Sequence, residues 1–135
     1  MAVISHQLTE NGKSQSGAFR LRVTRTQALL SSKVMTATTV TERMVGLLGR
    51  SLLPEGEALF FPQCSSIHTV GMRFPIDVVF VDRNWQVVVL KPHLQPGRFV
   101  LPVPKAWGVV EMASGSLARV TIQVGDHLES YMVKI

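Results

Sequence analysis

Phe19, Leu21 and Val23 alternate with Arg20, Arg22 and Thr24, the period-two pattern of a strand with one face buried. This predicts a strand over 18–25, and a second is expected at 33–38. The period then changes. Val40, Met44, Leu47 and Leu48 fall on one helical face, Thr39 with Glu42 makes a capping box, and Gly49 is a C-terminal cap, so a helix is expected between them. Pro54 limits its continuation. A short strand is expected at Ala58–Phe61. The apolar runs Ile76–Asp82 and Trp85–Leu90 read as a hairpin turning at Arg83-Asn84.

Residues 91–105 carry Pro92, Pro96, Pro102 and Pro104 and read as an irregular crossover rather than a central strand. A strand at Val109–Met112 and a turn at Ala113–Gly115 follow. Val120, Ile122 and Val124 alternate with Thr121 and Gln123 before a Gly125-Asp126 turn, and a last strand is expected at Leu128–Val133. The polar residues 1–17 read as a flexible arm, leaving one β-rich domain at 18–135. Short strands, one or two short helices and proline-rich connections predict an α+β, mostly β fold. Its antiparallel or mixed sheet curls into a partial barrel. Parallel βαβ winding is not expected, because most strand pairs lack a helix-length crossover.

Composition narrows the class. Hydrophobic residues make up 46% and charged ones 17% of 135 residues, which excludes a disordered or coiled-coil chain. Uninterrupted apolar runs reach about four residues, against about twenty for a membrane span. No basic start followed by an apolar stretch opens the chain, and one cysteine permits no intrachain disulfide, so the cytoplasm is the expected compartment. The formal charge of +5 lies entirely in residues 1–50, where seven Lys/Arg face Glu10 and Glu42. Only Phe19 accompanies the basic strand there, so neither a nucleic-acid nor a membrane partner is expected. An outward arginine row protects a sheet edge instead.

The densest polar cluster runs from Cys64 to Asp77. Cys64, His68 and Met72 are spaced by four, which turns their side chains to one side. Those donors suit copper or zinc, but a structural zinc site needs four ligands, and His93 and His127 lie outside any such pattern. No metal or other cofactor is therefore expected. A Cys64–His68 nucleophile pair is the second reading, although no basic neighbour lowers the thiol pKa. In the third, His68 and Thr69 make internal hydrogen bonds while Cys64 and Met72 pack. Asp77 and Glu111 interrupt apolar runs; a buried carboxylate needs a partner, with Arg73, Arg43 or Arg50 as candidates. Asp126 reads as a turn residue that accepts backbone N–H groups.

Four segments, in order, resemble the family known as domain of unknown function 192: Arg43–Arg50, Ile67–Met72 running into Pro75–Phe80, Val110–Gly115, and Val124–Asp126. The resemblance implies a compact, mostly β fold and no particular reaction. Many relatives carry an aromatic-Trp-Met-Lys-Asn form where this chain has Cys-x-x-Ile-His-Thr.

The expected function is non-enzymatic binding of a small polar ligand, a metabolite or saccharide. The expected lining is His68, Thr69, Met72, Arg73, Asp77 and Glu111, with Arg43, Arg50 and Asp126 in structural roles. This requires His68, Asp77 and Glu111 to share one hollow. The alternatives are a small hydrolase or isomerase, using His68 with an acid or using Cys64, and a module that docks a protein through the proline-rich loop or an exposed strand edge. No catalytic residue is assigned, and the sequence carries no signal for oligomeric state.

Overall fold

The run Ile76–Val81 is buried at all six positions because it has a strand on either side and both faces of the sheet are covered there. A computed structural model describes residues 19–37 and 53–131 of the chain. Nine strands are found there: β1 (Phe19–Val23), β2 (Leu29–Thr36), β3 (Glu57–Pro62), β4 (Ile67–His68), β5 (Ile76–Val81), β6 (Val87–Leu94), β7 (Phe99–Val100), β8 (Gly108–Ala113) and β9 (Leu128–Tyr131). Seven of them form one sheet in the order β6-β5-β8-β3-β2-β1-β9, while β4 and β7 pair separately. Among the described residues, helical structure is one 3-10 turn at Leu117–Arg119. The expected helix at 39–49 and the arm at 1–17 lie outside the described residues.

The sheet curls until its two edges meet at one end. Gln86 bridges His127, Val87 donates its N–H to the Asp126 carbonyl, and Leu128 donates to the Trp85 carbonyl. Residues from all seven strands fill the inside of the curl, among them Leu21, Val34, Phe60, Val79, Val87, Met112 and Leu128. The second core is the outer face of β3, β5 and β8, with Leu59, Phe61, Ile76, Val78, Phe80 and Val109. It is covered by Ile67, Phe74, Val100, Val103 and Ala106 from the β4–β7 side. Gly108 has a packing reason: a Cβ there would stand 2.6 Å from Cε1 of Phe60, whose ring lies against Trp85 at 4.6 Å.

The mostly β, half-barrel expectation holds, with differences in detail. The β5–β6 hairpin turns at 82–85, where Asp82 Oδ1 accepts the N–H groups of Asn84 and Gln86. β6 runs on to Leu94 through Pro92. This is possible because β6 is an edge strand, where a missing N–H leaves no ladder partner wanting. The crossover also contains β7, which pairs with β4. Val120–Val124 forms no strand; Val120 and Ile122 pack on the inner core as irregular chain, and Val124 is exposed. One pair, β2–β3, is parallel, which makes the sheet a mixed one, and its connection runs through 38–52, outside the described residues.

Candidate functional site

β6 has one residue more than β5 between the pairs Val78–Lys91 and Ile76–Leu94, which makes a bulge at Pro92-His93. His93 there has φ of 51°, a left-handed conformation that needs support. Asp77 supplies it. Its Oδ1 accepts the His93 N–H at 2.8 Å, and its Oδ2 accepts those of Leu117 at 2.8 Å and Gly115 at 3.1 Å. Three backbone donors hold this buried carboxylate, so it binds chain rather than ligand. The bulge turns the His93 ring toward Ser114, where Nδ1 and Oγ are hydrogen-bonded at 2.5 Å. That leaves Nε2 as the ring nitrogen open to a ligand.

Thr69 does comparable work from the other side. Its hydroxyl donates to the Gln95 carbonyl at 2.6 Å and accepts the Arg98 N–H at 2.9 Å, and its own N–H donates to the Arg98 carbonyl. Asp77 and Thr69 thus fix the two ends of the 93–98 segment. Between the end of β6 and β7 lies an open groove of about 410 Å³, lined by Lys91, His93, Gln95, Arg98, Phe99 and Leu101 among others. Among the described residues, no carboxylate lines it. Lys91 and Arg98 have no ion-pair partner among the described residues, whereas Arg22, Arg25, Lys33 and Arg119 pair with Glu129, Asp126, Glu57 and Glu55.

The shared hollow expected for His68, Asp77 and Glu111 is not found. Asp77 pairs with Met112 and faces the inner core, while Glu111 pairs with Val78 and Leu59 and faces the outer one. Strand alternation puts the two acids on opposite faces of the sheet. Among the described residues no cation or donor reaches the Glu111 carboxyl, and burial pushes its pKa up to about 8. His68 is exposed, its ring 6.0 Å from that of Phe99, and Arg73 is exposed as well. Met72 and Cys64 pack on the outer core, and the Cys64 thiol donates to the Ser66 carbonyl. The one-sided Cys64–His68–Met72 arrangement therefore fails, because β4 ends at His68 and the chain turns, with the Met72 N–H on the Thr69 carbonyl.

Asp126 has the turn role expected of it. It accepts the Gln123 N–H and a two-pronged contact from Arg25 at 2.7 and 3.0 Å, which holds its carboxyl below the usual range. Arg43 and Arg50 lie outside the described residues. The sequence alone does not single out Lys91, His93 and Arg98, since only the fold brings them together; the available signal was a histidine beside a proline in a strand that is apolar from Val87 to Leu90.

Among the described residues, no three His, Cys, Asp or Glu side chains are grouped to hold a metal, and no helix is long and apolar enough to cross a membrane. The chain is similar to a solved Sinorhizobium meliloti protein described as a candidate transcription regulator: TM-score 0.73, 18% identity, covering 88% of this chain and 98% of that one. A Novosphingobium aromaticivorans protein of unknown function matches at TM-score 0.69 and 22% identity, over 83% of each chain. At these identities the likeness shows the fold. The UPF0127 protein PF1050 of Pyrococcus furiosus is 40% identical over 65 residues, a stretch spanning 48% of this chain and 55% of that relative. Residues 21–130 match the family described as uncharacterized ACR, DUF192, and the chain belongs to that family.

Proposed function

We propose that this is a cytoplasmic, non-enzymatic binding module for a small polar ligand bearing a phosphate or carboxylate group. The groove between the end of β6 and β7 is its site. The observation that carries this reading is a concavity of about 410 Å³ that presents Lys91, His93 and Arg98 with no acid among the described residues that line it. That volume is within the usual range for small-molecule sites. Arg98 offers a planar fork suited to an oxyanion, Lys91 a mobile point charge, and His93 a ring nitrogen fixed in direction by Ser114. Asp77 and Thr69 are positioning residues that act through the backbone they hold.

Thermal-shift titration with inorganic phosphate, pyrophosphate and citrate, against a neutral sugar, tests the reading. An anion at 100 times its dissociation constant adds about 2.7 kcal/mol. The expected result is stabilisation by at least one anion and its loss in the double variant Lys91→Glu, Arg98→Glu. Equal response of that variant and the native chain rejects the site.

A further inference from the structure

Phe99 and Leu101, on the rim of the groove, are 73% and 80% exposed, and Val70, next in sequence to Thr69, is 46% exposed. The segment that carries the first two is tied down, with Thr69 bonded to Arg98 and Val103 donating its N–H to the Ser65 carbonyl. Its apolar tips are therefore held out in water instead of folding onto the outer core beneath them. Lys91 and Arg98 flank the same groove without carboxylate partners among the described residues. Exposed apolar tips beside unpaired cations match a lipid interface, where hydrocarbon takes the tips and headgroup phosphates take the charges.

We propose that this rim docks on an anionic lipid surface, with Phe99 and Leu101 entering the acyl boundary and Lys91 and Arg98 meeting lipid phosphates. The proposal rests on the anion-binding reading above and names the source of the anion. It departs from the expectation of no membrane partner, which considered the basic N-terminal third, where one aromatic accompanies the charge. The fold assembles the cluster elsewhere. A nucleic acid fits less well: Leu101 and Val70 have no π-face for bases to stack on, and two cations are few for tracking a phosphate backbone.

Sedimentation of the full chain with phosphatidylcholine vesicles, with and without phosphatidylserine, tests this. The chain is expected to pellet with the mixed vesicles only, and less so as salt is raised. Reversing both charges in Lys91→Glu, Arg98→Glu is expected to lower partition by more than about twentyfold, at about fivefold per cation removed. Phe99→Ser with Leu101→Ser is expected to lower it at least about tenfold. If pyrophosphate stabilises the chain but mixed vesicles do not pellet it, lipid docking is overturned and the binding reading stands. Loss of both responses overturns both. Vesicle binding unchanged by the Phe99/Leu101 pair, or capture of a labelled single-stranded oligonucleotide with no vesicle binding, also overturns the proposal.

Discussion

The Asp77 carboxylate accepts the N–H of His93 at 2.8 Å across a one-residue bulge in the neighbouring strand. An acid placed inside an apolar strand thereby determines where an imidazole on another strand points. The same carboxylate holds the amides of Gly115 and Leu117, so one buried charge joins the β6 bulge to the chain that follows β8. A carboxylate with three charge-assisted bonds to backbone is well compensated for its burial.

Asp77→Ala is expected to destabilise the fold by about 3 kcal/mol or more, since it leaves three amide donors without their acceptor. Asp77→Asn is expected to cost less, its single oxygen serving part of the set. Urea unfolding gives both values through the midpoint at constant slope. A loss under about 1 kcal/mol for the alanine variant contradicts the role assigned to Asp77.

Glu111 has the opposite energetics. Its pKa is raised by burial from the ordinary carboxylate range to about 8. Between the ordinary value and about 8 the unfolded chain releases this proton and the folded chain keeps it, so stability declines as pH rises through that window and levels off above it. Glu111→Gln is expected to be more stable than the native chain, with a gap on the order of a few kcal/mol that widens from pH 5 to pH 9. Thermal unfolding at the two pH values measures it. A gap independent of pH contradicts the burial of an ionisable group here.

Asp126 titrates with the reverse sign. Its pKa is lowered chiefly by the Arg25 contact, so its contribution is present above the ordinary aspartate value and is lost as pH falls through the folded one. Asp126→Asn is expected to remove part of the acid-dependent loss of stability, and Arg25→Gln to do the same. Acid unfolding followed by circular dichroism compares the three chains; identical acid midpoints contradict the pairing.

Gly108→Ala is expected to cost about 1–3 kcal/mol, because the added methyl meets the Phe60 ring at 2.6 Å and that ring is wedged against Trp85. Unfolding free energy with no change rules out the close approach.

The β pattern was legible where burial is one-sided or complete. The alternation of 18–25 became β1, and the apolar runs became β5, β6 and β8. Val120–Val124 misled because alternation records burial, not pairing: Val120 and Ile122 bury without a partner strand. Of the candidate site, Thr69 and Asp77 were identifiable as polar residues with a duty in the interior, but they hold backbone, and the groove proposed as the site lies along the segment they hold. Two acids in apolar strands look alike in sequence, and only the strand phase separates Asp77 from Glu111. Lys91, His93 and Arg98 are ordinary surface residues until a bulge and a clamped turn bring them round one groove.

Nuclear magnetic resonance titration with pyrophosphate tests the location of function most directly. The expected result is a set of amide shifts confined to Lys91–Leu101 and the contacting Thr69 and Ser114, abolished by Lys91→Glu with Arg98→Glu. Shifts centred on the outer-face strands around Glu111, or none at saturating ligand, contradict it.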